Sequence, residues 1–323
     1  MKGVWLLILI SSISGRVEAS DFRLNTILSD KSLKVFYPGL ISTRTVFRDS
    51  SLQGTLTTQP HTPINYTKLA IVGGTMVSGM IAIHLYQQSG WWADNRAPFH
   101  FREDLTYGLW VDKIGHFYAA SILAFAVKNT IEWADVPERN ALWLGSATSF
   151  IFQTYVEIED GFSAWGFDRV DFLTNTLGAA WPILRYEAPF FQNFDLKLSY
   201  LPSQLIHNPG GVGFRGQKHL MMDDYEGQSF WLSVKVNNFL PNRLEPYWPD
   251  FLCLALGYGA RDIAVQSSEP HRVYFLAFDL DMTKVIPQKS DFLKRVGQAL
   301  NFIHLPSPAV RISPSTIWYG VYF

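Results

Sequence analysis

The middle of the chain carries acidic, amide and histidine side chains whose spacing could bring them to one point. Asp112 and His116 lie four residues apart, so on a helix they share one face. Asp171 and Asn175 have the same separation. Glu157 ends a third row, in which small or polar residues recur every four positions. We predict that these rows face one another and build one site, whose candidate catalytic residues are Asp112, His116, Glu157, Asp160, Asp171 and Asn175.

Two kinds of chemistry fit this set. Histidine, aspartate and glutamate are ligands for hard or borderline divalent metals, so a divalent metal ion is the one cofactor that the sequence suggests. The same groups could perform acid–base catalysis, with His116 titrating near neutrality and a carboxylate orienting it. The chain lacks the HExxH zinc motif, the GxSxG nucleophile motif and a glycine-rich phosphate loop, so no standard reaction is indicated.

The same residues also have a structural interpretation. Asp112 precedes an apolar helix and is placed to cap it. Asp168, with Asp171 three residues later, resembles a variant capping box. Capping accounts less well for Glu157 and Asn175. The structural and the functional interpretation therefore both stay open.

Four helical segments must position these residues. The first, Leu69–Leu85, has seventeen residues without a formal charge and is the best candidate for a membrane span. Gly74, Ser78 and Ala82 give it a flat face for close packing; the alternative is a buried helix in a water-soluble bundle. We predict a compact bundle partly embedded in a membrane or lying at its face, with three further helices at Asp112–Trp133, Ala141–Val156 and Phe172–Leu184, the last ending near Pro182.

After about Glu187 apolar and polar residues alternate, which is typical of β-strands. Five or six candidate strands predict a small sheet that either packs on the helices or meets a bilayer on one face; the clearest are 196–200, 230–236, 251–258, 273–281 and 317–323. The predicted fold class is α+β, an N-terminal membrane-associated bundle of about four helices followed by an antiparallel β region. The predicted divisions are a signal peptide at 1–19, an extended lead-in at 20–65, a helical membrane-associated domain at 66–187 and a β-rich domain at 188–323.

The first residues of the chain are typical of a secretory signal peptide. Lys2 precedes the apolar run Val4–Ile10, and a small-residue pattern predicts cleavage after Ala19. No cysteine lies near this point, because the single cysteine is Cys253, so we expect neither a bacterial lipoprotein anchor there nor an internal disulfide. We predict an exported protein of the cell envelope that is membrane-associated, either facing the periplasm or in the outer membrane.

The overall composition narrows the class of partner. The chain has 27 Lys and Arg residues against 28 Asp and Glu residues, which argues against nucleic-acid binding because phosphate neutralisation needs clustered positive charge. Charged residues make up 17% of the chain and aromatic residues 15%, so the chain is too apolar for a disordered protein. Membrane lipid is the predicted partner, and a protein partner cannot be named from the sequence.

Several short motifs together resemble the YfiM-like family of predicted envelope proteins. The helical part carries Asp112-Lys113-x-x-His116, then Glu157-x-Glu159-Asp160-Gly161-Phe162, then Trp165-Gly166-Phe167-Asp168-x-x-Asp171-x-x-x-Asn175-x-x-Gly178. In the β region, residues 224–233 and 257–260 resemble the longer members of that family, so the resemblance covers roughly residues 66–323. It implies an envelope location and this division into domains, and it implies no reaction.

A looser resemblance links the chain to the VanZ-like membrane proteins. They share the order DK-x-x-H, then Glu, then D-x-x-x-N-x-x-G. This chain departs from their Glu-x-x-Gln element, because Glu157 is followed three residues later by Asp160. No activity is therefore transferred from that group.

Three functions remain compatible with the sequence. The first is a structural or binding protein of the envelope, in which the polar rows hold the bundle together. The second is a membrane-associated hydrolase or transferase that acts on a lipid or an envelope glycan through the Asp, His, Glu and Asn set. The third is a binder of a lipid or another hydrophobic ligand, with a cavity between bundle and sheet.

Overall fold

The structure, a computed structural model, describes residues 63–89, 92, 96–103, 105–203, 206, 221–263 and 269–322. All of them belong to one compact unit that spans residues 54–323. The predicted signal peptide and most of the predicted lead-in lie outside the described residues.

Among the described residues, helices come first and a sheet follows, which confirms the predicted α+β class. The long helices are α1 (Tyr66–Ser89), α2 (Val111–Glu132), α3 (Glu138–Gly161) and α4 (Arg169–Glu187). The strands are β1 (Phe194–Tyr200), β2 (Gln228–Val234), β3 (Leu252–Arg261), β4 (His271–Leu280), β5 (Ser307–Ser313) and β6 (Ile317–Tyr322). Two shorter helices, α5 (Met282–Val285) and α6 (Asp291–Leu300), connect β4 to β5.

Helix α1 lies largely exposed on the outside of the bundle. Within the described part of the chain it is the one helix long and apolar enough to cross a membrane, and its 23 residues Tyr66–Gln88 have a mean hydropathy of 1.6. Only 6% of that apolar window is buried in the protein. Val72 packs on Val127 and Ile131 of α2, whereas a Cβ added at Gly74 would meet no described atom within 4 Å. The exposure of α1 favours the predicted span over a buried core helix.

Helices α3 and α4 pack closely on α2 through glycines in the predicted rows. A Cβ built on Gly145 would lie 2.6 Å from the Ala124 carbonyl oxygen of α2. One built on Gly178 would lie 2.2 Å from the Phe117 carbonyl oxygen of the same helix. The small residues thus let the two backbones approach α2, and the polar residues in the same rows point towards it.

Replacing Gly178 with alanine is expected to destabilise the protein by about 1–3 kcal/mol, because backbone atoms cannot move aside as a flexible side chain can. The measurement is chemical unfolding of the purified full chain in detergent. Gly74→Ala is the matched control, since it adds the same methyl group to a helix in open space and should be neutral or stabilising by about 0.5–1 kcal/mol. Equal stability losses in the two variants would contradict the close contact between α2 and α4.

Helix α4 continues through Pro182 to Glu187, so the prediction that it ends near Pro182 is wrong. Proline removes one backbone hydrogen bond but does not forbid the helical backbone on either side. Trp181 packs against Phe117 of α2 and against Phe191 beyond the helix, with ring centroids 5.8 and 5.7 Å apart. These contacts on both sides of the helix outweigh the lost hydrogen bond.

The strands pair in the order in which they occur along the chain. Among the described residues, β1 to β6 form one sheet in which each strand is antiparallel to the next. The sheet is curled, as contacts between strands that are not neighbours show. The Arg261 guanidinium of β3 donates to the Tyr322 hydroxyl of β6 at 2.6 Å. Trp231 of β2 also contacts Tyr322, with ring centroids 5.9 Å apart.

The convex face of this sheet is apolar, and α2 covers one end of it. Phe230 and Ala260 pack there with Val111 and Tyr118 of α2. Further along the same face, paired leucines of three strands stay exposed, namely Leu232, Leu256 and Leu276. The sheet therefore packs on the helices at one end and leaves an apolar surface at the other.

Candidate functional site

Lys113 lies at the centre of a cluster of carboxylates where α2 meets α4. Its ammonium group is 2.7 Å from one oxygen of Asp168, 2.7 Å from one oxygen of Asp171 and 3.2 Å from Asp112. The lysine side chain is only 2% exposed. Asp168 also caps α4, because its other oxygen accepts from the Val170 amide at 2.7 Å, which confirms its predicted capping role.

His116 lies beside this cluster, one helical turn after Asp112. Its Nε2 is 3.5 Å from Asp112 Oδ1 and 3.8 Å from Asp171 Oδ2. Its side chain is 22% exposed, the largest exposed fraction among the side chains that surround it. The imidazole is therefore the group through which solvent or a ligand reaches the cluster.

The other ring nitrogen of His116 faces α3 and α4. Its Nδ1 is 3.2 Å from Asn175 Oδ1 and 3.5 Å from Glu157 Oε1. The Asn175 amide nitrogen donates to the same Glu157 oxygen at 2.9 Å, which turns the amide oxygen towards the imidazole. In this arrangement Nδ1 carries a hydrogen and donates it to Asn175, and Nε2 faces Asp112 and Asp171. Nε2 offers a lone pair to that side only when its own proton is displaced.

The backbone just before α2 is strained. Gly108, Leu109 and Trp110 follow one another with positive φ angles of 60°, 50° and 77°. Left-handed conformations in residues other than glycine cost about 1–3 kcal/mol each and cluster at functional sites. Helix α2 thus begins at Val111, and Asp112 in its first turn is not the cap that the sequence predicted.

Two tyrosines from the β region hold this strained turn. The Tyr225 ring packs on Gly108, where an added Cβ would lie 3.0 Å from the ring, and the Tyr225 hydroxyl donates to Asp112 Oδ1 at 2.7 Å. The Tyr258 hydroxyl donates to the Leu109 carbonyl oxygen. Helix α2 and the β region therefore jointly position the carboxylate of Asp112.

Asp160 lies on α3, three residues after Glu157, and has a different partner. Its Oδ1 accepts a hydrogen bond of 2.6 Å from the indole of Trp92, which is fully buried. Its backbone carbonyl accepts from the Ser163 amide at 2.8 Å and so closes the end of α3. Asp160 contributes charge near His116 but does not join its hydrogen-bonded group.

Three carboxyl groups at the site retain protons more strongly than ordinary ones. Burial raises the pKa of Glu157 from 4.5 to about 8, and the neighbouring carboxylates add to the rise against the opposing charge of His116. Burial also raises the pKa of Asp160 from 3.8 to about 7 and that of Asp171 from 3.8 to about 6. These shifts mark a buried excess of acid that lacks enough positive charge.

The cationic groups and Asp112 shift in the opposite sense. Burial alone would lower the pKa of His116, but Asp112 and Asp171 raise it well above 6.5. The pKa of Lys113 is likewise raised by its carboxylates against the effect of burial. Burial would raise the pKa of Asp112, yet His116, Lys113 and the Tyr225 hydroxyl hold it far below 3.8. Asp112 thus stays ionised.

One subset of these residues has the geometry of a metal site. Asp112, His116 and Asp171 each offer one ligand atom, and the three atoms lie within 4.8 Å of one another. Asp171 Oδ1 is buried and accepts no hydrogen bond from any residue that the structure describes. Two carboxylates and one imidazole suit a hard or borderline divalent ion.

The structure brings together five of the six residues that the sequence singled out as candidates. Asp112, His116, Glu157, Asp171 and Asn175 form one connected group, and Asp160 lies beside it. The central position of Lys113 and the roles of Tyr225 and Trp92 were not predicted from the sequence. Lys113 had a signal, since it is adjacent to Asp112 within the DK-x-x-H motif.

Comparison with known proteins identifies a family over this part of the chain. Residues 100–187, which span α2 to α4 and less than half of the chain, match the family described as "Predicted periplasmic lipoprotein (DUF2279)". The description agrees with the predicted localisation of an exported, membrane-associated protein of the cell envelope, and it states no activity. No curated protein and no solved structure matches the chain.

Proposed function

We propose that the protein is a membrane-associated enzyme of the cell envelope, a hydrolase or transferase whose centre holds a divalent cation between Asp112, His116 and Asp171. The observation that carries the proposal is the position of His116 Nε2, 3.5 Å from Asp112 Oδ1 and 3.8 Å from Asp171 Oδ2. These separations are long for hydrogen bonds. They suit two ligands of one ion, because ligand atoms about 2.1 Å from a metal lie roughly 3–4 Å from each other.

The surroundings of His116 support this assignment. Metal-binding histidines usually donate their other ring NH to a carbonyl or carboxylate, which fixes the tautomer and aims the free nitrogen at the ion. Asn175 accepts from His116 in this way, and Glu157 in turn fixes the amide of Asn175. Tyr225 performs the corresponding role for Asp112.

The charge of the site also supports a cation. Glu157, Asp160 and Asp171 have raised pKa values first because they are buried, and second because neighbouring carboxylates repel their negative charge. Lys113 pairs with one oxygen of Asp171 and leaves the other, Oδ1, without a donor among the described residues. A divalent ion held by Asp112, His116 and Asp171 would supply the missing positive charge.

A divalent ion beside a partly exposed imidazole gives the site a recognisable chemistry. Such an ion polarises a phosphoryl or carbonyl oxygen and lowers the pKa of a bound water. The exposed apolar helix α1 and the half-exposed Trp110 beside Asp112 favour a substrate that is presented at a membrane. We therefore propose a lipid or a lipid-linked envelope glycan as the substrate class. The likeness to YfiM-like proteins adds the expectation of an envelope location.

The test is turnover by the detergent-purified full chain on an envelope lipid extract and on isolated envelope glycan, each followed by mass spectrometry. With Mn²⁺ or Zn²⁺ present, one component should be consumed, and EDTA or His116→Ala should stop the reaction. His100→Ala is the matched control, because that histidine contacts the Pro98 backbone carbonyl and lies outside the cluster. If the metal-loaded protein changes no component of either preparation, the enzymatic proposal is wrong.

A structural role is the second candidate, and Lys113 favours it. A buried lysine between three carboxylates ties α2 to α4, whether or not a ligand binds. The double variant Asp112→Asn with Glu157→Gln separates the two functions. If the cluster is purely structural, the double variant should either lose stability, seen as a changed melting temperature, or behave as the wild type does. If the cluster is a functional centre, the variant should lose its cellular function while its melting temperature and localisation stay unchanged.

A further inference from the structure

The β region contains a second group of reactive side chains, far along the chain from the helical site. A cavity of about 330 Å³ opens where β3 begins, β4 ends and β5 begins. Its walls are apolar and include Leu252, Phe278 and Leu280. Two polar residues also line it, Asp279 and Ser307.

Ser307, His304 and Asp279 form a chain of contacts beside this cavity. His304 Nδ1 is 3.2 Å from Asp279 Oδ1, and His304 Nε2 is 3.4 Å from Ser307 Oγ. Because Nδ1 lies against a carboxylate it carries the hydrogen, so the lone pair of Nε2 faces the hydroxyl. The Ser307 hydroxyl donates at 2.6 Å to the Phe278 carbonyl oxygen, and rotation about its C–O bond would turn that hydrogen towards His304.

Packing fixes the base and its carboxylate more firmly than a surface contact would. His304 is fully buried and stacks on Trp231, with ring centroids 3.9 Å apart and an angle of 16° between the planes. Asp279 forms an ion pair of 2.7 Å with Lys197, whose side chain is also fully buried. Burial would raise the pKa of Asp279, but His304 and Lys197 lower it, so the carboxylate stays ionised.

We propose that Ser307, His304 and Asp279 form a second catalytic site that hydrolyses carboxylic esters with an acyl chain. Ser307 Oγ attacks the ester carbonyl carbon as its proton passes to His304 Nε2, and Asp279 stabilises the imidazolium. The C–O bond to the alcohol then breaks, and His304 gives the proton to the leaving oxygen. Water releases the acid from the serine by the same sequence of transfers, which restores the hydroxyl.

The cavity indicates the substrate class. Apart from Asp279 and Ser307 its lining offers hydrocarbon, which suits an acyl chain and not a sugar or a nucleotide. Phe278 forms part of the wall and also stands on the exposed apolar face of the sheet beside Leu276. An acyl chain could therefore pass from that face into the cavity without crossing polar surface.

The experiment is labelling of the detergent-purified full chain with a long-chain alkyl fluorophosphonate, followed by peptide mass spectrometry. Attack by Ser307 Oγ on phosphorus forms an O–P bond, releases fluoride and passes the hydroxyl proton to His304. We expect the label on Ser307, labelling at least tenfold slower in His304→Gln, and none in heat-denatured protein. Ser313→Ala in the same strand should label normally, and His116→Ala should too, which separates this site from the proposed metal centre.

Absence of label on Ser307 in folded protein would overturn the proposal, as would equal labelling rates in wild type and a folded His304→Gln variant. Because His304 is buried, folding of that variant is checked by its melting temperature, and Asp279→Asn provides a second, isosteric test of the same relay. If p-nitrophenyl decanoate binds the cavity but is not hydrolysed, the cavity is a lipid-binding site only.

Discussion

Replacing His116 with alanine should weaken the binding of Mn²⁺ or Zn²⁺ to the full chain by about 100-fold or more, because removal of a ligand costs at least as much as the 10–100-fold loss seen for residues that only orient a ligand. His116 supplies the only nitrogen of the proposed set, and its Nε2 faces both partner carboxylates. Isothermal titration of metal-stripped protein in detergent measures the affinity directly.

Two further variants provide metal affinities with which the loss in His116→Ala can be compared. Asn175→Ala removes the hydrogen-bond acceptor that fixes the His116 tautomer but leaves all three ligands, so a loss of about 10–100-fold is expected. His100→Ala should bind as the wild type does. The same affinity in wild type and His116→Ala would contradict the assignment of the metal site, whatever the behaviour of Asn175→Ala.

Replacing Lys113 with methionine should destabilise the protein by about 3–5 kcal/mol, since removal of one partner from a buried ion pair leaves uncompensated charge behind. The methionine has nearly the length of the lysine but cannot pair with the carboxylates of Asp112, Asp168 and Asp171. Denaturant unfolding of the full chain in detergent measures the loss. A loss large enough to prevent folding would appear as failure to purify a monodisperse protein.

A rescue variant tests whether unpaired carboxylate charge causes the loss of stability in Lys113→Met. Asp168→Asn with Asp171→Asn removes two of the charges that Lys113 neutralises, so both changes together in the Lys113→Met background should recover part of the stability. Lys68→Met is the control, because Lys68 pairs with Asp135 near the surface and exposed pairs contribute only about 0–1 kcal/mol. A loss in Lys113→Met no greater than in Lys68→Met would contradict the central role of Lys113.

The helical half of the site could be predicted because helical periodicity fixes which residues share a face. Asp171 and Asn175 point the same way on any helix, and the glycines in the same rows indicate where helices approach one another. Gly178 shows the link directly, since it packs on the backbone of α2 one turn beyond Asn175. Helical periodicity therefore predicts that the polar rows of these helices meet at one point.

The remaining parts of the site depend on contacts that periodicity does not describe. Tyr225 reaches Asp112 from 113 residues further along the chain, and only the packing of the sheet on the bundle brings it there. The strained turn at Gly108–Trp110 moves the start of α2 to Val111, so the capping role of Asp112 is wrong, whereas its position beside His116 follows from their four-residue spacing. Asp160 lies on the same helix as Glu157 but turns to Trp92.

The β region was predicted unevenly for a similar reason. Strands with strict alternation were recognised, whereas β5 was missed because Pro306 and Pro308 interrupt the pattern at its start. The contacts of His304 with Ser307 and Asp279 were not predicted either, because α5 and α6 separate Asp279 at the end of β4 from His304 and Ser307 along the chain. Sequence spacing does not indicate contacts between residues so far apart.

The most direct test of the metal centre is the anomalous difference density of crystals of the full chain grown with saturating Mn²⁺ or Zn²⁺. The proposal predicts one strong peak about 2.0–2.3 Å from carboxylate oxygens of Asp112 and Asp171 and from His116 Nε2. A map without a peak among these three side chains, at metal concentrations that fill other sites, would contradict it.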